Sequence, residues 1–131
     1  MATNPTAAAR PDARCLELAV YTVHASEADT FPARQAAMHE ALRALPGFER
    51  GERLRGLDDP TLFADYIQWA SRAEAETAAA RLPELPGAGA FMGAIAAMRT
   101  MAHLPVGAPT VGPAAAAPMP ANAPAGATDA R

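Results

Sequence analysis

Apolar and polar positions alternate along two stretches of the chain and recur at helical spacing along others. From Cys15 to His24 the run CLELAVYTVH is rich in β-branched and aromatic residues and free of Gly and Pro, which predicts a strand. Leu16, Leu18, Val20 and Thr22 share one of its faces; Glu17, Ala19, Tyr21 and Val23 share the other. A second strand is predicted from Thr61 to Ala70, with Phe63, Asp65, Ile67 and Trp69 on one face and Leu62, Ala64, Tyr66 and Gln68 on the other. Between the two, Phe31, Met38, Leu42 and Leu45 recur as on a helix, with Arg34, Gln35, His39 and Arg43 on its other sides. Asp29 or Thr30 offers the N-cap, Pro32 is tolerated in the first turn, and Pro46-Gly47 ends the helix. Phe48 to Leu57 alternates charged residues and suits an exposed edge strand, closed by the turn Asp58-Asp59-Pro60. Ser71 and Glu74 form a capping box for a helix that must stop before Pro83. After the break at Leu85-Pro86-Gly87, Ala90 to Met98 reads as a short helix and Thr100 to Val106 as a last strand.

The predicted order is strand, helix, strand, strand, helix, strand. That order gives an α+β sandwich of the ferredoxin-like kind, a four-stranded antiparallel sheet in the order 4-1-3-2 with its helices on one face. The apolar residues of the opposite face then need a cover, and a second copy of the sheet supplies one, so a homodimer is expected. Ala19, Tyr21, Ala64 and Tyr66 are the candidates for that covered face.

Composition narrows the picture. The 131 residues suffice for one domain. Met1 to Arg14 holds nothing large to bury, and from Val106 onward the chain is mostly Ala, Pro and Gly. Ordering such ends costs roughly 1–2 kcal/mol of backbone entropy per residue, so residues 1–14 and 106–131 are expected to be disordered tails around a domain at 15–105. All 11 basic residues are arginine, which removes Schiff-base lysine chemistry. A net charge of −3 with both signs interspersed leaves no electrostatic footprint for nucleic acid. The single cysteine, Cys15, excludes an internal disulfide framework and a cysteine-rich zinc site, and reads as structural. No His or carboxylate pair stands at a metal-ligand spacing, and Gly87-Ala-Gly89 lacks the lysine of a phosphate loop. Neither a signal-peptide core nor a bilayer-spanning stretch is evident, so no membrane association and a cytoplasmic location are expected.

The first strand, Pro46-Gly47-Phe48, the turn Asp58-Asp59-Pro60 and above all Asp65 to Ala75 (DYIQWASRAEA) resemble the dimeric α/β-barrel proteins, and within them the antibiotic-biosynthesis-monooxygenase-like (ABM) superfamily. The strand-end Trp69 followed by Ser71 and an Ala/Glu-rich helix carries most of the resemblance; Met101 and His103 near the last strand's end carry less. The resemblance spans about Leu16 to Leu104 and implies two sheets pairing into a dimeric barrel, with a pocket between sheet and helices in each subunit. It also implies cofactor-independent oxidation of an aromatic or quinol-like small molecule, or a non-catalytic ligand-binding or scaffold module of the same fold. Trp69 sits where the haem-degrading and polyketide-oxidising members place an active-site tryptophan. The haem-degrading members add an asparagine on the first strand and a histidine on the second helical segment. Here the strand offers Ala19 and Tyr21, and no histidine lies between Ser71 and Met98, which argues against haem cleavage.

The candidate site is therefore drawn from one face and one strand end. Trp69 is either a core aromatic or a pocket wall on which a substrate ring stacks, with Phe63 and Ile67 beside it. Asp65 shares that face; buried without a cation it suits a general acid or base, and the alternative is pairing with an arginine, Arg72 or Arg99 for example, or a structural hydrogen bond. His103, late in the last strand, is the candidate proton shuttle, or an exposed strand-end imidazole. His39 falls on the polar side of its helix and is expected in solvent; Tyr21 and Tyr66 are expected at the dimer interface, the alternative being hydrogen bonds to a phenolic substrate.

Overall fold

β1 (Cys15–Val23) runs through the middle of a four-stranded antiparallel sheet of order β2-β3-β1-β4, the order expected from the sequence. Its neighbours are β3 (Leu62–Trp69) and β4 (Ile95–Pro105), and β2 (Phe48–Arg55) forms the exposed edge beyond β3. Three helices, α1 (Phe31–Arg43), α2 (Arg72–Arg81) and α3 (Ala88–Gly93), pack on one face. The structure, a computed structural model, describes residues 13–107. The tails expected at 1–14 and 106–131 lie outside the described residues except at their inner ends. There the Val106 amide donates to the Arg14 carbonyl at 2.8 Å, so the ladder runs one step past both expected boundaries.

Burial explains which face is which. In β3 every second residue is buried, and in β1 Cys15, Ala19, Tyr21 and Val23 are buried on the same side. Residues directly opposite in an antiparallel pair share a face. The register sets Tyr21 against Phe63 and Ala19 against Asp65, which puts all four under the helices. Tyr21, Phe31, Phe63 and Phe91 form the aromatic centre of the core, with ring centroids between 4.8 and 6.0 Å apart. This corrects the expected dimer face: Ala19 and Tyr21 belong to the core, and only Ala64 and Tyr66 lie on the outer side. Their outer neighbours are Leu16, Leu18 and Val20, partly exposed, flanked by the half-exposed Leu54 and Leu104.

The second half of the chain departs from expectation in one place. The last helix covers Ala88–Gly93 rather than Ala90 to Met98, and β4 begins at Ile95 rather than Thr100. The alanine-rich stretch has helical propensity, but pairing wins over it: Ile95 faces Val23, Ala97 faces Thr22 and Met98 faces Tyr21. Val20 pairs with Thr100 and Tyr21 with Met98, so Arg99 is an extra residue, a β-bulge. In a regular strand positions 98 and 101 would point to opposite faces. The bulge brings Met98 and Met101 to the helix side together, where they line one cavity.

The Ser71 side chain accepts from the Glu74 amide at 3.2 Å, the N-cap that the capping box predicts for α2. Against it packs the turn after α1, where Gly47 has φ +86° and a Cβ would fall 2.7 Å from the Cβ of Glu74. Gly87 also has positive φ, +84°, but open space around it. A side chain in this backbone region costs roughly 1–2 kcal/mol. In urea unfolding, Gly87→Ala is expected to lose about that strain alone, and Gly47→Ala clearly more, because it also displaces Glu74 from the cap. Equal losses at the two positions would contradict this packing.

Candidate active site

One carboxylate sits at the meeting point of three elements. Asp65, on β3, is buried under α1 and accepts three side-chain hydrogen bonds: from the Tyr21 hydroxyl at 2.8 Å, Gln35 Nε2 at 2.9 Å and His39 Nε2 at 2.8 Å. An ionised carboxylate is acceptor-only, so Nε2 of His39 carries the proton in this bond and Nδ1 faces the other way. Gln35 also donates to the Ala64 carbonyl at 3.0 Å, locking its amide in place. Burial, with the Asp65 charge adding to it, pushes the Tyr21 hydroxyl far above its ordinary range, so that it remains a donor. A buried charge is tolerated when its lone pairs are met this way.

Two hollows flank this group. On the apolar side a cavity of about 70 Å³ lies between sheet and helices, lined by Asp65, Tyr21, Ile67, Met38, Phe91 and Glu17, with the half-exposed Met98 and Met101 from β4. On the other side an open groove of about 400 Å³ between α1 and β2 is lined by His39, Arg43, Arg50 and Arg53 among others. His39 thus stands between the groove and Asp65, its side chain 11% exposed. Gly51 makes room for it: a Cβ there would meet His39 Nδ1 at 3.0 Å.

A second carboxylate lines the same cavity. Glu17 is on β1, on the helix side and diagonal to Asp65 across the β1/β3 pair. Its Oε1 accepts from Trp69 Nε1 at 3.1 Å and lies 3.6 Å from His103 Nε2. Burial raises Glu17 above the ordinary carboxylate range; His103 and the Trp69 hydrogen bond pull it back, and the charge of Asp65 adds to the rise. His103 Nε2 is buried without a hydrogen-bond partner among the described residues.

The sequence-derived residues land as follows. Asp65 and Ile67 line the cavity; Phe63 and Trp69 are fully covered and are not among its lining residues. Trp69 spends its N–H on Glu17 and meets Phe48 edge-on, 5.6 Å between centroids. His103 reaches the cavity only through Glu17. Asp65 does not take an arginine partner: Arg72 binds Glu76 at 2.8 Å, and Arg99 is the bulge residue. His39, expected in solvent, is instead paired with Asp65, and Tyr21, expected at a dimer interface, is buried against the same carboxylate. Sequence reasoning missed Gln35, His39 and Glu17 as site residues. The available signal was spacing: positions 31, 35, 38, 39 and 42 form one helical stripe in which Gln35 and His39 are the polar members. No group of three or more His, Cys, Asp or Glu side chains among the described residues is placed to hold a metal ion, and no helix there is long and apolar enough to cross a membrane.

Comparison with known proteins agrees with this architecture. No curated protein matches the chain. Among solved structures, the cofactor-independent oxygenase SnoaB from Streptomyces nogalater superposes with a TM-score of 0.57 at 22% identity, over 76% of this chain and 96% of that one. A Nitrosomonas europaea protein provisionally named an antibiotic biosynthesis monooxygenase gives 0.60 at 19% identity, over 72% and 91%. The protein PA3566 from Pseudomonas aeruginosa gives 0.56 at 17% identity, over 76% and 99%. At these identities the likeness is one of fold. The family model described as antibiotic biosynthesis monooxygenase matches residues 16–81, from β1 through the end of α2, half of the chain and the part that holds Glu17, His39, Asp65 and Trp69. The chain belongs to the antibiotic biosynthesis monooxygenase (ABM) family.

Proposed function

We propose that the protein is a cofactor-independent monooxygenase acting on a neutral aromatic or quinol-like small molecule in the sheet–helix cavity, with Asp65 as the base. The observation that carries this reading is a desolvated carboxylate, held by three donors, on the wall of an apolar cavity whose lining contains no arginine. Asp65, with three of its four lone-pair sites taken, keeps an acceptor site toward that lining, so the site favours a ligand that presents a hydroxyl group or an acidic C–H to it. A ligand with fused rings needs more than 70 Å³, and the space is made by Met98 and Met101, flexible side chains at the open rim. Ile67 lines the cavity, and Phe63 and Trp69 stand along the same face of β3, fully covered.

The reaction asks the protein for little beyond a base and a dry site. Asp65 takes a proton from a methylene flanked by aryl and carbonyl groups, leaving a stabilised carbanion. The carbanion passes one electron to molecular oxygen, and the two radicals join as a C–O bond. Protonation gives a hydroperoxide, which loses water to leave a ketone, so that CH₂ and O₂ become C=O and H₂O. Asp65 then gives its proton up to solvent, which restores the base. Metal and flavin have no step in this sequence because the substrate itself supplies the electrons.

The same proposal covers the outer face of the sheet. Leu16, Leu18, Val20, Ala64 and Tyr66 form an apolar patch without helices over it, and the same patch on a second copy would cover it. In sedimentation at micromolar concentration the protein is expected to run as a dimer and Leu18→Arg as a folded monomer; a wild-type monomer would overturn the pairing.

For the chemistry, oxygen uptake is measured on a panel of anthrones and naphthohydroquinones near neutral pH. Asp65→Asn keeps the shape of the site and is expected to lower turnover by about 10²–10⁴-fold, the usual worth of a positioned base. Unchanged turnover in Asp65→Asn would contradict the assignment. Binding without turnover by the wild type would favour the non-catalytic ligand-binding module.

A further inference from the structure

The oxygenation sequence needs two proton transfers in opposite directions, one off the substrate carbon and one onto the peroxide. Asp65, filled by three donors, accounts for the first. We propose that Glu17 is the second catalytic group, the acid that protonates the peroxide, and that His103 is the positioning residue that recharges it. This rests on the oxygenase reading above.

Four observations converge on the pair. Glu17 lines the cavity on the same sheet face as Asp65, one diagonal step away, so both carboxyl groups reach one ligand. Its carboxyl is fixed: Trp69 Nε1 holds Oε1 at 3.1 Å, which gives the buried tryptophan its one polar task. His103, directly opposite Glu17 in the β1/β4 ladder, places Nε2 at 3.6 Å from the same oxygen, just short of a hydrogen bond. That nitrogen has no other partner among the described residues, although it is buried, which leaves it free to exchange a proton with Glu17. The His103 ring is 20% exposed, so it connects Glu17 to water at the β4 edge. The other ionisable groups facing Glu17 are Asp65 on β3 and Cys15 on its own strand, whose thiol is itself raised by burial and then by Glu17. Neither favours ionised Glu17; His103 and the Trp69 hydrogen bond do, and burial outweighs them toward the protonated form.

The balance is as follows. The substrate carbanion and O₂ form a C–O bond, and the resulting peroxide anion takes the carboxyl proton of Glu17. The hydroperoxide then loses its remaining C–H proton and a hydroxide as one water, leaving the ketone. Glu17 regains its proton from His103, which takes one from solvent, while Asp65 releases the proton it accepted to solvent. Each cycle consumes one O₂ and no external reductant.

The two proton transfers are separable by experiment. With 1,8-dihydroxyanthrone in D₂O under nitrogen, hydrogen–deuterium exchange at the methylene carbon, followed by NMR and corrected for the buffer rate, reads the base step alone. Oxygen uptake in air reads the whole sequence. Glu17→Gln is expected to keep the exchange rate within about twofold and to slow oxygen uptake by about 10²-fold, the lower end for a positioned acid. It is also expected to lose the fall in rate that the wild type shows as rising pH strips the proton from Glu17. His103→Ala should shift that alkaline limb and recover on addition of imidazole, which a purely structural loss would not. Thermal melts establish that the variants are folded; should Glu17→Gln fail that check, Glu17→Asp takes its place, with uptake slowed and exchange kept. Oxygen uptake at the wild-type rate in Glu17→Gln, or loss of exchange together with uptake, would overturn the proposal. Asp65→Asn with exchange intact would sink the Asp65 assignment and leave that of Glu17 standing. An anthrone that neither exchanges nor consumes oxygen on the wild type removes both.

Discussion

A negative charge held inside an apolar core is the constraint around which this domain is arranged. Asp65 lies on the inner face of the sheet among Phe63, Ile67 and Trp69, where an unpaired carboxylate would cost several kcal/mol. The fold meets that cost with one donor from β1 and two from α1: Tyr21, Gln35 and His39. These bonds tie helix to sheet at a chosen depth and rotation, which hydrophobic contact alone leaves loose. A core built only for stability would put an apolar side chain at position 65 and dispense with the whole arrangement. Under the proposed function, the charge is kept there as the base.

The second organising feature is the bulge at Arg99. It bends β4 so that Met98 and Met101, three positions apart, both face the helix side. The cavity therefore has a rigid floor of β1 and β3 residues and a soft rim of thioethers, an arrangement that admits ligands of differing shape without disturbing the acid–base groups. Each carboxyl group of the cavity has an imidazole behind it, His39 for Asp65 and His103 for Glu17, and each imidazole sits at the edge of the buried region. Under the proposed reaction the His103 edge is where protons enter, and the apolar lining strengthens electrostatic interactions at the two carboxyl groups.

Most of the fold was legible in the sequence because alternation and capping are local signals. The strands at Cys15–Val23 and Leu62–Trp69, the helix closed by Pro46-Gly47 and the Ser71 cap all follow from spacing. Asp65 was legible for the same reason, as the one charge on an apolar face. What escaped depends on relations between strands or between helix and sheet. Which face of β1 coincides with which face of β3 is set by register, and without it Tyr21 was placed on the wrong side of the sheet. The start of β4 and the joint orientation of Met98 and Met101 depend on a bulge that leaves no mark in composition. Gln35 and His39 read as polar helix positions, and only the carboxylate beneath them turns that side of the helix inward. Glu17 looked like an ordinary strand charge because its partners, Trp69 and His103, are far away in sequence and adjacent only in the folded sheet.

The most direct test of this account is a crystal structure of the protein soaked with an anthrone under nitrogen. The account predicts ring density between Tyr21, Ile67, Met98 and Met101, with the methylene carbon within about 3–3.5 Å of an Asp65 oxygen, the separation of a reactive complex. Ligand seated instead in the arginine-lined groove between α1 and β2, with the sheet–helix cavity still closed, would contradict it.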